Sequence, residues 1–186
     1  MQPYKKLFTY WYALIIYDLT VEFCERWIKS WKLREQMTGA ARSGKQNIVE
    51  GSESMATSLK TGIKLTNVAK ASIEELLGDL EDFLRQRKLS QWSKDDPRVR
   101  AFRGRAAKLV RGLSILRDLR DPKAQALLDQ LGLPEPPDEA ANLLLTLCHQ
   151  ATYLLYRQVK SLEKKHQVEG GYTEKLYRQR TQHRGY

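Results

Sequence analysis

Apolar positions along this chain recur at three- and four-residue intervals, and few long runs alternate with a period of two. Such spacing is typical of amphipathic helices and not of strands. We therefore expect an all-α fold: an antiparallel up-and-down four-helix bundle with an extra helical insertion between its third and fourth helices. The predicted helices cover about residues 5–31, 33–50, 58–88, 97–120 and 138–167, with a shorter helical turn at 122–131.

A chain of 186 residues is long enough to bury one hydrophobic core. We predict one domain over residues 1–169, in which about 97–131 is the insertion. A flexible basic tail, 170–186, follows Gly170 and Gly171 and has no core-forming period.

The apolar N-terminal segment resembles a secretion signal at first sight, because two lysines precede it. Asp18 and Glu22 interrupt it within two turns, and no small-residue cleavage site follows. The same acids leave it too short for a membrane span, which needs about 20 apolar residues. Cys24 and Cys148 fall on apolar helix faces, as buried thiols of a reducing compartment would. We therefore expect a cytoplasmic protein with no membrane partner.

Small residues are concentrated in 36–51, where the spacing remains helical. Glycine inside a helix costs about 1 kcal/mol relative to alanine, so Gly39 and Gly44 indicate a close neighbouring backbone. Gly51 is expected at the helix C-cap. Three other ends are predicted from caps: Ser52, Ser54 or Thr57 before the third helix, Pro97 in a first turn and Asp138 before the last helix.

Polar residues on the second and third helices also suggest a hydrogen-bonded lock between them, because buried polar groups need partners. A catalytic or ligand cluster is the alternative, but neither an evident nucleophile nor a histidine base lies nearby. The residues of this structural interhelix cluster are Ser43, Asn47, Glu50, Ser72 and Glu75.

The net charge of +10 is concentrated in two segments. Residues 97–122 carry a net +6, and the tail from Gly170 to Tyr186 carries +3. Local positive charge of this kind favours a surface that binds anions. The alternative is a solvated face balanced by acidic residues of the third helix. The candidate nucleic-acid-binding residues are Arg98, Arg100, Arg103, Arg105, Lys108, Arg111, Lys175, Arg178 and Arg180.

Three motifs carry a resemblance to a known family: Ile15–Tyr17, the run Asn47–Gly51 (NIVEG) and the run Ser72–Leu76 (SIEEL). Together they resemble the four-helix-bundle proteins encoded in intervening sequences of bacterial 23S rRNA genes, a group that includes the accessory variability determinants of diversity-generating retroelements. The resemblance implies a homopentameric ring, no enzymatic activity and a nucleic-acid partner, or a nucleic-acid enzyme such as a reverse transcriptase. Thr38–Gly39 stands where family members often have paired arginines, and the insertion and tail lie outside the common core.

Other chemistry finds less support in the sequence. Glu163 and His166 form one ExxH pair, but a di-iron bundle needs a second pair and two further glutamates. We therefore expect no metal and no cofactor. Arg178 and His183 have the R-x4-H spacing of a small helical ribonuclease family, but they lie in the predicted tail and lack a rigid pocket.

The sequence thus predicts a non-enzymatic, oligomeric protein that binds RNA or DNA mainly through phosphate. The alternatives are a scaffold for an acidic protein partner and, with less support, a ribonuclease. Trp92 and the tail tyrosines Tyr172, Tyr177 and Tyr186 are candidates for base stacking, or for packing.

Overall fold

The computed structural model describes residues 2–184, and of residues 169, 172, 173 and 175 it describes the backbone alone. Over this range all the regular secondary structure is helical and no strand is present, which confirms the all-α prediction. A 3-10 helix comes first, and its range is Pro3–Lys6. The α-helices are α1 (Phe8–Trp27), α2 (Trp31–Ser54), α3 (Leu59–Gln86), α4 (Pro97–Leu116), α5 (Pro122–Leu128), α6 (Pro137–Glu169) and α7 (Tyr172–Arg184).

Local capping chemistry sets several helix starts. The Asp96 side chain accepts a hydrogen bond from the backbone N–H of Arg98, and Pro97 occupies the first position of α4 as predicted. At α3 the cap is Ser58, which accepts from the N–H of Thr61.

Three predicted helix ends are wrong by a few residues. Ser52 and Ser54 belong to α2, which runs one turn further than expected, so they do not cap α3. Asp138 lies in the first turn of α6, which begins at Pro137. The first break falls at 28–30, because Ser30 caps α2 by accepting from the N–H of Leu33.

Four long helices surround the hydrophobic core. Helix α1 packs on α2, α2 on α3, α3 on α6, and α6 returns to α1. Their contact faces bury large side chains, among them Trp11, Phe23, Met37, Ile73 and Leu144. Helix α4 packs on α6 and α1, and α5 packs on α4. Helices α4 and α5 therefore add a layer to this core and leave one face of α4 to solvent.

The glycines of α2 differ in what surrounds them. A Cβ on Gly44 would lie 2.5 Å from Ile73 Cδ1, so here α2 does approach α3 closely. A Cβ added to Gly39 would have no neighbouring heavy atom within 4 Å, so the prediction of a close neighbouring backbone at Gly39 is wrong. Gly51 is not a C-cap: it is buried inside α2, where a Cβ would lie 3.3 Å from the carbonyl oxygen of Gly62 in α3.

Both cysteines are buried free thiols, as expected. Burial raises the pKa of the Cys24 thiol to about 11 and raises that of Cys148 as well. Neither thiol is therefore activated toward nucleophilic chemistry. Within residues 2–184, no helix combines the length and apolarity needed to span a bilayer.

Candidate functional site

Helix α4 has an apolar face and a basic face. Its buried face consists of Val99, Ala106, Leu109, Val110 and Leu113. Five basic side chains are exposed along the remaining surface of the helix: Arg98, Arg100, Arg105, Lys108 and Arg111. The helix is thus held by its apolar stripe while the cations remain in water.

Aspartates neutralise the N-terminal end of this basic face. Arg98 binds Asp96 at 2.9 Å, and Arg100 lies 3.7 Å from Asp95. Hydrogen bonds from Arg98 lower the pKa of the Asp96 carboxyl, so the carboxylate stays ionised and paired. Two of the six basic residues predicted on this segment are therefore partly compensated within the chain.

The other four have no such partner. Among the side chains that the structure describes, Arg103, Arg105, Lys108 and Arg111 have no carboxylate within 4.0 Å. Arg105, Lys108 and Arg111 are exposed, and Arg103 is half-buried. We call these four residues the α4 cationic patch. Their positive charge is available to an external anion.

Aromatic residues support the N-terminal half of the patch. Trp92 and Phe102 stack nearly parallel, with ring centroids 6.0 Å apart and planes inclined by 9°. The Arg98 guanidinium lies 3.9 Å from the centre of the Trp92 ring, and that of Arg105 lies 4.5 Å from the centre of Phe102. Trp92 is only 9% exposed, so it serves packing and does not stack on bases.

A cavity of about 170 Å³ lies where α4 meets α6. Arg103, Lys94 and His149 contribute nitrogen donors to its wall. Burial lowers the pKa of His149, the charge of Arg103 lowers it further, and Glu81 opposes both. Lys94 and Arg103 supply the other basic groups of this cavity, and the lowered pKa of His149 disfavours its charged form.

The loop between α3 and α4 is fixed by one buried amide. Asn142 of α6 accepts from the backbone N–H of Trp92 and donates to the carbonyl oxygen of Ser90, each at 2.8 Å. Sequence inspection missed this residue because it lies within an otherwise apolar stretch of α6. Asn142 positions Trp92, and Trp92 in turn packs against Arg98 and Phe102 in the N-terminal half of α4.

The predicted tail residues lie on another element. Arg178 and Arg180 are exposed on α7, and the Lys175 side chain is outside the described residues. Helices α4 and α7 are not among the pairs that pack extensively in the described part of the chain. The candidate set is therefore not brought together as a single surface here.

The R-x4-H pair of the ribonuclease alternative lies on α7 too. Both Arg178 and His183 are exposed. Tyr177 is 72% exposed on the same helix. The structure does not describe the side chain of Tyr172 or any part of Tyr186. An exposed helix surface does not supply the enclosed, rigid geometry that cleavage of a phosphodiester requires.

The interhelix cluster is brought together in part. Ser43 Oγ and Ser72 Oγ are 2.9 Å apart across α2 and α3. Asn47 Nδ2 donates to the Ser43 carbonyl oxygen at 2.9 Å and to Ser43 Oγ at 3.2 Å. Glu50 and Glu75 are exposed at the edges of these helices, outside the hydrogen-bonded group.

Helix α6 presents a second basic face that the sequence reasoning missed. Tyr153 is 57% exposed and Tyr156 48% exposed. Arg157, Lys160 and Lys164 are exposed beside them. Their three- and four-residue spacing was the available signal, but the apolar seam of the same helix was the more evident pattern.

Among the side chains that the structure describes, histidine, cysteine, aspartate and glutamate form no group of three or more able to hold a metal ion. Comparisons with models of known protein families, with curated proteins and with solved structures find no match to this chain. The function is therefore argued from the geometry of the α4 cationic patch and its surroundings.

Proposed function

We propose that this is a non-enzymatic protein that binds nucleic acid, mainly through contacts between the α4 cationic patch and backbone phosphates. The observation that carries the proposal is the absence of a carboxylate within 4.0 Å of Arg103, Arg105, Lys108 and Arg111 in the described structure. Guanidinium groups bind phosphate oxygens through paired hydrogen bonds. Phosphate contacts fix position without reading sequence, so we expect weak sequence preference.

The proposed architecture is an up-and-down four-helix bundle built from α1, α2, α3 and α6. Their order of contact, in which each packs on the next and α6 packs on α1, supports it. In this arrangement α4 and α5 are an addition on the outside, and the nucleic-acid surface belongs to that addition.

We further propose that the protein forms a homo-oligomer. The family that its NIVEG and SIEEL runs resemble indicates a pentamer. We propose that it acts in the cytoplasm together with a nucleic-acid enzyme such as a reverse transcriptase. Repeated copies of one patch would raise avidity without any new contact. Light scattering should then give a mass five times that of the 21.6 kDa chain. A clean monomer would contradict the ring and leave the patch proposal standing.

Salt dependence tests the phosphate contacts directly. Four phosphates neutralised by the four cations of the patch would give log K against log salt a slope of roughly −3.6 for duplex DNA. Fluorescence anisotropy of a labelled duplex between roughly 50 and 300 mM salt measures it. An affinity that does not change with salt, or no binding at the lowest salt, excludes direct phosphate binding.

An acidic protein partner is the second candidate, and one observation favours it: Arg98 and Arg100 already hold carboxylates of Asp96 and Asp95. Polyglutamate added as a competitor separates the two. If it displaces the duplex at equal concentrations of charge, the patch prefers carboxylates at least as much as phosphates. Under the nucleic-acid proposal, polyglutamate competes much more weakly than unlabelled DNA.

A further inference from the structure

Two exposed tyrosines mark the outward face of α6. Tyr153 and Tyr156 lie on the side of the helix opposite Ala151, Leu155 and Val159, which are buried. Arg157, Lys160 and Lys164 continue the same outward face toward the C-terminus of the helix. At about 1.5 Å of rise per residue, the stripe from 153 to 164 is roughly 16 Å long.

Neither tyrosine ring has a cation close to its centre, and about half of each residue's surface is exposed. The Arg157 guanidinium is 6.0 Å from the centre of the Tyr153 ring and donates to its hydroxyl oxygen at 3.1 Å, so it lies beyond the hydroxyl end. Lys160 Nζ is 5.9 Å from the centre of Tyr156. Both distances are at the outer limit of a cation–π contact. Trp92 differs, because Arg98 is only 3.9 Å from its ring centre and Phe102 stacks on it.

Positive charge accompanies the rings. Glu163 pairs with Lys160 at 3.0 Å, whereas Arg157 and Lys164 have no carboxylate within 4.0 Å among the described side chains. An aromatic ring between two cations can hold a base while the cations hold the phosphates on either side of it.

The stripe also meets the α4 cationic patch. His149 precedes Tyr153 by one turn of α6, and it lines the cavity that Arg103 of the patch lines too. The α6 stripe and the α4 cationic patch therefore adjoin one cavity at the α4–α6 junction, which His149 of α6 and Arg103 of α4 both line.

We propose that this stripe, Tyr153 to Lys164, is a stacking platform for the unpaired bases of single-stranded nucleic acid, and that the protein prefers single strands to duplex. The proposal rests on the proposed function and narrows it to one class of ligand. Bases in a duplex are stacked on their neighbours, so only unpaired bases offer a free face to a tyrosine ring. Duplex would then be held by the α4 cationic patch alone.

The experiment compares one labelled oligonucleotide, free and annealed to its complement, by fluorescence anisotropy at a fixed salt concentration. Loss of a stacking ring weakens binding by about fivefold or more per base. The double variant Tyr153→Leu/Tyr156→Leu should therefore lose about 25-fold or more in affinity for the single strand. Its affinity for the duplex should change by less than about twofold, because the phosphate contacts of α4 are intact.

Two controls separate ring stacking from other effects. Tyr153→Phe/Tyr156→Phe keeps the rings and should retain most of the single-strand affinity. Trp31→Leu removes another aromatic residue, 70% exposed on α2, and should change neither affinity. Circular dichroism should show unchanged helix content in all three variants, since the substituted side chains are exposed.

The outcomes distinguish the platform from the proposed function. Equal affinity of the leucine double variant and the unaltered protein for the single strand overturns the platform, and so do equal losses for single strand and duplex. In the first case the salt-dependent binding of duplex by α4 stands. In the second, the α6 tyrosines also contribute to duplex binding, and charge reversal on α4 tests the α4 cationic patch separately. Binding of neither nucleic acid by the unaltered protein overturns both proposals.

Discussion

Reversing two charges of the α4 cationic patch, as in the double variant Lys108→Glu/Arg111→Glu, should lower affinity for duplex DNA about 100-fold or more. A hydrogen bond to a charged group contributes roughly 1.5–3 kcal/mol, or about tenfold or more in affinity, and two such contacts are lost. The introduced carboxylates also repel phosphate. The salt slope should become shallower by about 1.8, because two fewer counterions are released. Anisotropy titrations at several salt concentrations measure both quantities.

Lys60→Glu/Lys64→Glu is the matched control. These lysines are exposed on α3, one turn apart, and the double change alters the net charge of the chain by the same amount. If binding depends on the patch, this variant should keep its affinity to within a few-fold. Similar losses in both double variants would show that overall charge, and not the patch, attracts the nucleic acid.

The sequence predicted the helices well because each long helix carries its own periodic apolar stripe. Helix α4 is the clearest example: apolar residues recur along it at helical spacing, its buried face extends from Val99 to Leu113, and Pro97 indicates where it begins. The sequence did not show where some helices end. Ser52 and Ser54 are good caps in isolation, yet α2 continues through them because Ser58 provides a cap for α3 further along the chain.

The role of each glycine was not readable from the sequence. Gly39 and Gly44 look equivalent in a helical pattern, but only Gly44 faces another helix, next to Ile73. A close approach is a property of two helices together, and periodicity describes one helix at a time. For the same reason the sequence pattern indicates a helix end at Gly51, although this glycine lies inside α2 and contacts Gly62 of α3.

The sequence predicted which basic residues make up the candidate site on α4, but not which of them pair with carboxylates. The basic run of α4 is evident, and so are Asp95 and Asp96 just before it. Their pairing with Arg100 and Arg98 follows from the capped start of the helix, which brings the carboxylates back toward the first turn. The stripe from Tyr153 to Lys164 could not be predicted from the sequence, because the exposure of its two tyrosines depends on which face of α6 packs on the core.

Substituting Gly62 with valine should lower the free energy of unfolding by about 3 kcal/mol, because overpacking a close helix contact costs about 1–3 kcal/mol, occasionally more. The first atom added, Cβ, would lie 2.6 Å from Met55 Cγ and 3.0 Å from the carbonyl oxygen of Gly51. The Met55 side chain can rotate away. The Gly51 carbonyl belongs to the backbone and cannot rotate away, so α2 and α3 must move apart. The contact between Gly51 and Gly62 adjoins the buried core that includes Ile48 and Ala69. Urea denaturation followed by circular dichroism measures the change.

Gly78→Val provides the matched comparison in the same helix. Gly78 is exposed, and no heavy atom lies within 4 Å of the position its Cβ would take. Valine is a slightly better helix former than glycine, so this variant should be as stable as the unaltered protein or more stable by a few tenths of a kcal/mol. Helix propensity therefore favours both substitutions, and the expected opposite outcomes isolate the packing of α2 against α3. Equal denaturation midpoints for the two variants would mean that the backbones of α2 and α3 do not approach each other at Gly51 and Gly62.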